Sequence, residues 1–327
     1  MDWSGIFINA GRAAIGVPAA AYALSAIGLN LQFGYTGLLN FGHVAFMLIG
    51  AYGMAITVDL GGSLWLGIPV GMALAAVLGL LLGFPTLRLR ADYLAIVTIA
   101  SGEILRLVVR SSAAEPLTNG VFGFQAFADE FFDLNPISRG RYGLGSFRFD
   151  ERALWVMIVG WALVGLGTWL IWRLTKSPWG RVLRAIREDE DAARSLGKNV
   201  FWFKLQSLMI GGVFGALAGI VLAVEQQNVN PDFFIPLLTF YAFTIVIIGG
   251  SGTVFGPVIG SVIFWFLFEF LDEFLGDAVA EGWFGSLIES TDVGAIRFAA
   301  VGVGLMALMA FRPQGIFGSR EESLLDG

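Results

Sequence analysis

Nine apolar runs, at about 10–29, 44–59, 65–83, 92–110, 153–172, 205–224, 234–249, 256–271 and 294–311, set the terms on which this chain can fold. A hydrocarbon core about 30 Å thick requires about 20 apolar residues in helical form. Backbone polar groups in lipid must be paired within the segment, which makes the helix the spanning unit. The runs therefore predict an all-α polytopic membrane protein with about eight to ten transmembrane helices, organised as a single membrane domain over residues 1–327. Several runs fall short of 20 residues and predict tilted or interrupted helices. Composition agrees: 56% of residues are hydrophobic and 14% charged, against about 25% charged in soluble domains, and the mean hydropathy is +0.75. The 44 glycines suit helices that approach closely or break beside a pathway. With no cysteine there is no disulfide or thiolate chemistry. The opening residues Met1-Asp-Trp-Ser-Gly5 lack a basic n-region and a cleavage site, so the first run is expected to be a retained span.

One long segment cannot sit in lipid. Residues 173–204 carry eight Lys and Arg and four acidic residues, Glu188 to Asp191, between two apolar runs. Cations mark the cytoplasmic side, so 173–204 is expected to be a cytoplasmic loop. Alternation then places Arg88 and Arg90 inside, residues 111–152 and 272–293 outside, and the tail after Phe311 inside. The stretch 269–292 has seven acidic residues and no Lys or Arg, which fits the outer side. The N-terminal side depends on whether residues 30–43 cross the membrane, and they are too short for a full span.

Within the polar loop, Ser177-Pro178 is a helix start and Gly197 a helix stop. Between them lies one amphipathic helix or two short ones. Val182, Ile186, Asp189 and Ala193 follow the spacing of one helical face, suited to docking in a partner's groove. A basic helix lying on anionic lipid is the competing reading. Four consecutive carboxylates oppose it and favour a protein partner.

Two glycine-rich segments stand out. Gly34, Gly37 and Gly42 interleave with Tyr35, Thr36, Asn40 and His43, and the run Gly249, Gly250, Ser251, Gly252 and Gly256 repeats that character in the second half. Irregular backbone at membrane depth is tolerated where it is buried in protein or lines a cavity, and paired interruptions point to a transport pathway. Tight helix packing is the alternative for either segment alone. His43 is the sole histidine, expected as a hydrogen-bonded structural group, with no second histidine for a metal site. Glu103 and Arg106, three residues apart in a predicted span, are expected to neutralise each other near mid-membrane. In 111–152, Asp129, Glu130, Asp133, Arg139, Arg141 and Arg148 offer charges to an external protein or to water. No H-E-x-x-H or G-x-S-x-G motif is present, and Asp59 and Asp92 sit only at span edges, which argues against an intramembrane hydrolase. Nor is there a G-x-x-x-x-G-K-[ST] phosphate loop; Leu196-Gly-Lys-Asn199 lacks its first glycine and its hydroxyl.

Four stretches carry a family resemblance: Gly34-Tyr-Thr-Gly-Leu-Leu-Asn-Phe-Gly-His-Val-Ala-Phe46; Leu87-Arg-Leu-Arg-Ala-Asp-Tyr-Leu-Ala-Ile-Val-Thr98 with Gly102-Glu-Ile-Leu-Arg106; Gly180–Gly197; and Phe311-Arg-Pro-Gln-Gly-Ile-Phe-Gly318. Together, in order over nearly the whole chain, they resemble the permease subunit of branched-chain amino acid ABC importers, the LivM type. The resemblance implies a type II ABC importer permease-like fold in a prokaryotic inner membrane, with no cofactor and no catalytic site of its own. It implies a second homologous permease, two cytoplasmic ATPase subunits and an extracytoplasmic binding protein as partners, and no nucleic acid. Gly180–Gly197 would be the coupling element, with Arg181, Arg184, Ala185, Ile186, Arg187, Glu188, Asp189, Ala192 and Gly197 meeting the ATPase. Leucine, isoleucine and valine are the implied cargo. Urea or short amides, and an ion-coupled secondary transporter using Glu103 and His43, are the alternatives.

Overall fold

The computed structural model describes residues 1–87, 91–283, 292–312 and 315–317. The first half contains α1 (Trp3–Ile15), α2 (Val17–Gln32), α3 (His43–Asp59), α4 (Leu64–Thr86) and α5 (Ala91–Arg110). A connecting region follows with α6 (Glu115–Thr118), β1 (Phe124–Gln125), α7 (Asp129–Asp133) and the hairpin β2 (Arg141–Leu144) and β3 (Phe147–Asp150). Next come α8 (Glu151–Lys176), α9 (Pro178–Glu188), α10 (Glu190–Ser195), α11 (Val200–Gln226) and β4 (Asn228–Val229). The chain ends in α12 (Leu237–Gly249), α13 (Gly256–Ala280) and α14 (Val293–Phe311). β4 pairs antiparallel with β1 and ties the end of α11 to the 111–152 region. Every apolar run of the sequence becomes a helix, and the long helices alternate between an end that carries α9 and a far end that carries the hairpin.

Among the described residues, α4, α8 and α11 are each long and apolar enough to cross a membrane, and α1 and α2 meet the same measure together as a pair bent by 43°. The sequence pattern marks one run there, at 10–29. The break sits at Gly16, whose extended backbone precedes Pro18, a residue without the amide that would continue the ladder. Trp161 of α8 donates its indole N–H to the Ile15 carbonyl freed by the break, at 2.7 Å. Helix α3, at 17 residues, and α12, at 13, are shorter apolar helices. Helices α5 and α13 are long but carry charged residues along them. The outer loop expected at 272–293 begins too early: residues 272–280 are the last turns of α13, whose acidic residues follow a helical rather than a loop backbone. Residues 284–291, and Arg88 and Arg90, lie outside the described residues.

Helix α2 is the axis of the bundle. All of its 16 residues but Pro18 are buried, as expected of a helix that is apolar all round. Its Ala20, Leu24, Ile27 and Leu31 share one core with Val44, Met47 and Ala51 of α3 and Phe214, Ala218 and Val221 of α11. Elsewhere only one stripe faces inward. On α4 the buried positions are Leu64, Gly67, Gly71, Ala75, Gly79, Gly83 and Thr86, a spacing of three or four that lays small residues along the contact. Apolar solvation gives little drive between helices in lipid, so such stripes gain stability from close backbone approach. At Gly50 a Cβ would come within 3 Å of Ala216 backbone atoms. Gly165 of α8 has nothing near the corresponding position.

These two glycines give a paired test. Gly50→Val should cost about 1–3 kcal/mol through overpacking, read as a lower apparent melting temperature of the detergent-solubilised protein. Gly165→Ala should be neutral or mildly stabilising through its helix propensity. Equal melting temperatures for the two variants would show that the α3–α11 contact does not limit stability.

Candidate functional site

The polar segment folds as two short helices. Ser177 precedes Pro178 at the start of α9. Asp189, in extended conformation, ends α9 and caps α10, its carboxylate accepting from the Asp191 and Ala192 amides at 2.9 Å each. Gly197 takes a left-handed φ of 74° just after α10. The apolar stripe expected to dock in a partner instead attaches the segment to its own bundle. Ile186 and Ala193 are buried with Val200 of α11, with Val182 against them, and Leu183 lies in the main core. Ile186 is therefore unavailable to a partner, and Asp189 serves as a cap rather than as part of a continuous face. The exposed surface of the segment includes Arg181, Arg184, Ala185, Glu188, Asp191, Ala192 and Gly197. On α10, Arg194 pairs with Glu190 at 2.9 Å and Asp191 at 2.7 Å, and Lys204 of α11 pairs with Glu190. Those ion pairs neutralise part of the acidic run from within the chain.

Arg187 joins this segment to both glycine-rich connections. Its Nη1 donates to the Gly34 carbonyl at 2.5 Å, and a Cβ placed on Gly252 would lie 2.8 Å from the same nitrogen. Arg184 sits 5.5 Å over the Tyr35 ring. The two connections also meet directly through Asn30 of α2, a buried amide. It donates to the Thr253 carbonyl at 2.8 Å and accepts from the Gly252 amide at 2.8 Å. Gly34 has no room for a side chain because the Gly252 amide and Asn30 occupy that space. The C-terminal motif closes the same site: the Ile316 amide donates to the Ile248 carbonyl at 3.0 Å, and Gly315 packs against Gly250. Leu87 borders a cavity with Glu190, Arg194 and Lys198 at this end. Four stretches far apart in sequence thus meet at the α9 end.

From there, residues 33–42 run into the bundle without helical structure, and polar side chains satisfy them. Thr36 donates to the Leu31 carbonyl at 2.8 Å and shares a 2.7 Å hydrogen bond with Ser207 of α11. Asn40 donates to Gln32 at 2.9 Å, and Gln32 in turn donates to the Leu208 carbonyl at 3.0 Å. The Phe41 amide donates to Thr98 of α5 at 3.1 Å, and the Val44 amide to Thr239 of α12 at 2.9 Å. His43 begins α3 wholly buried beside Gly215. Its ring faces the Ser25 backbone, its hydrogen-bonding neighbour, with neither nitrogen in close hydrogen-bond geometry. Residues 33–42 are tied by these bonds to α5 and α11, and α3 starts at His43 with a bond to α12.

Glu103 and Arg106 do pair, with Arg106 Nε 3.0 Å from one carboxylate oxygen. The pair is part of a larger network that sequence separation conceals. Arg106 also meets Asp232 at 2.8 Å and Arg110 reaches Asp232 at 3.5 Å. Asp232 lies in the connection between β4 and α12, so this network latches the far end. Asn30 and Asp232 were not singled out from the sequence. An asparagine in an otherwise apolar run was the available signal for Asn30; nothing local marked Asp232.

The model of the family described as "branched-chain amino acid transport system / permease component" matches residues 12–290. The high-affinity branched-chain amino acid transport system permease protein LivM of Escherichia coli (strain K12) is 35% identical over 259 residues, 76% of this chain and 60% of that protein. The chain thus covers 60% of that relative's length. The permease protein LivH of the corresponding system in the same strain is 26% identical over 255 residues, 72% of this chain and 77% of LivH. The nucleoside ABC transporter permease protein NupC of Lactococcus lactis subsp. cremoris is 27% identical over 212 residues, 60% of this chain and 61% of NupC. A match over residues 12–290, carried by a multi-pass helical bundle, places this chain in the permease component family of branched-chain amino acid transport systems.

Proposed function

We propose that this chain is a transmembrane permease subunit of an ABC importer in a prokaryotic inner membrane, forming half of a pathway for branched-chain amino acids. The observation that carries the reading is Arg187, which links the exposed α9 to the Gly34 and Gly252 connections at once. A push on α9 is thereby delivered to the links between α2 and α3 and between α12 and α13. The cationic excess of residues 173–204 supports a cytoplasmic side for that end, where two separate ATPase subunits would engage Arg181, Ala185, Glu188 and Ala192. ATP-driven closure would move α9 and open the pathway alternately to the two sides. The residues 111–152 and the far-end loops would then face an extracytoplasmic binding protein. A second homologous permease completes the pathway, as the likeness of this chain to both LivM and LivH suggests. The likeness to a nucleoside permease supports a second reading of the cargo alone, on the same machine. Uptake of labelled leucine against labelled nucleoside, urea and short amides by cells expressing the whole system decides between them.

Two outcomes test the coupling. Arg184→Glu with Arg187→Glu should reduce uptake at least about tenfold, the scale of losing a charge-assisted hydrogen bond, and remove substrate stimulation of ATP hydrolysis while membrane insertion stays normal. Uptake at the wild-type rate would end the coupling assignment. Gly37 and Gly252 hold φ of 73° and 76°, where a side chain adds about 1–2 kcal/mol of strain. Gly37→Val or Gly252→Val should block uptake while the assembled complex still purifies. Unimpaired uptake would reduce both segments to packing elements.

A further inference from the structure

At the far end, apart from the residues of the proposed coupling site, α1, α2, α8, α11, α13 and β3 surround a cavity of about 420 Å³. Its polar lining is Asn9, Arg12, Glu225, Glu269 and Glu273. Each comes from a helix that runs into the membrane, where ionisable residues are rare and mark substrate or ion routes. The apolar lining includes Val17, Pro18, Phe149 and Met157.

The charges face one cavity without cancelling one another. Arg12 makes no ion pair among the described residues; its guanidinium lies 5.5 Å over the Phe149 ring, and its buried Nε has no hydrogen-bond partner. Glu273 is engaged, accepting from the Asn9 amide at 2.9 Å. Glu225 and Glu269 have neither an ion pair nor a hydrogen bond among the described residues, and Arg297 of α14 pairs with Asp272 instead, at 2.5 Å. A second cavity continues from the first past Glu225, and Gln227, which lines it, holds a buried Nε2 without a partner.

Half-buried charges of both signs, left apart, are costly. A ligand carrying both charges a few ångströms apart relieves them together. A simple anion would meet three carboxylates, and a simple cation would leave Arg12 unpaired. We infer that this cavity is a binding site for a zwitterionic α-amino acid, with Arg12 holding the carboxylate, Glu225 and Glu269 the ammonium, and the Met157 and Val17 side the aliphatic chain. The inference rests on the proposed import of amino acids and names where on this subunit the cargo first lodges. Bidentate guanidinium–carboxylate pairing gives Arg12 its selectivity for that group.

The test uses the transporter complex purified through a tag on this full-length chain, free of soluble binding protein and held in lipid nanodiscs. Labelled L-leucine binding is competed with isoamylamine, which lacks the carboxylate, and with 4-methylpentanoate, which lacks the ammonium. Each analogue should need at least about tenfold more than leucine to compete, as expected for loss of one charged hydrogen-bonded contact. Arg12→Gln should weaken leucine about tenfold and leave isoamylamine unchanged; Glu269→Gln should weaken both leucine and isoamylamine and spare 4-methylpentanoate. Arg12→Lys, which keeps the charge without the fork, should recover part of the loss and shows that the site, not the fold, was altered. Absence of saturable leucine binding, binding indifferent to both substitutions, or binding set by sodium and not by Arg12 would each overturn the site. Leucine uptake by the whole system, measured in parallel, tests the underlying reading separately. Normal uptake with unaltered binding in the variants removes this site alone, whereas no uptake of any amino acid removes the transport assignment beneath it.

Discussion

A peptide group that leaves the helical ladder inside a membrane must find a new partner, because lipid offers none. Here that requirement falls on residues 33–42 and on the loop 249–256, and a small set of buried side chains meets it. Asn30 serves both the Gly252 amide and the Thr253 carbonyl. Gln32 passes a chain of hydrogen bonds from Asn40 to the Leu208 carbonyl. Ser207, Thr98 and Thr239 supply single oxygens from three different helices. Because these donors and acceptors come from α2, α5, α11 and α12, the broken segments are fastened to the bundle at several points. Removing one partner leaves a buried group unpaired, at about 1–3 kcal/mol, a large fraction of what holds a domain folded.

That arrangement explains why α9 can be both firmly seated and mechanically connected. Its apolar stripe, through Leu183 and Ile186, anchors it to the bundle. Its cations do different work: Arg187 reaches the Gly34 carbonyl and Arg184 the face of Tyr35. A displacement of α9 has no purely solvent-exposed path to relax into, since both arginines end on the connections between spans. Closely packed interiors transmit such shifts rather than absorb them. Gly37, Gly250, Gly252 and Gly315, all with positive φ, stand where backbones meet and turn.

The apolar runs made the helices legible because a 20-residue apolar stretch has few other fates, and Ser177-Pro178 and Gly197 marked the bounds of the polar insert for equally local reasons. Failures came where tertiary context decided the role of a residue. The stripe through Val182, Ile186 and Ala193 has the same amphipathic pattern whether it faces a partner or its own bundle, and only packing against Val200 reveals which. Asp189 looked like one more charge in an acidic run, but its backbone ends one helix and its side chain starts the next. The break at Gly16 was hidden inside a continuous apolar run. Glu103 and Arg106 were visible as neighbours on one helix, whereas Asp232 is 126 residues away from Arg106. The meeting of four motifs at the α9 end likewise has no one-dimensional signature.

Helix α2 connects the two ends of this argument. Its C-terminal turn carries Asn30 and leads into the Gly34 connection held by Arg187; its first residues, Val17 and Pro18, line the cavity that holds Arg12 and Glu225. Between them lie about two dozen ångströms of helix at 1.5 Å per residue, buried on every side. A buried helix without an internal break moves as a body, and the 43° bend at its start is the place where α1 can change angle against it. On the proposed function, motion of α9 at the cytoplasmic end therefore reaches the Arg12 cavity as a displacement of Val17 and Pro18 against Ala153 and Met157 of α8. The separation of Arg12 from the α11 and α13 carboxylates then becomes the quantity that ATP-driven closure changes, and with it the affinity for a ligand that must span both charges.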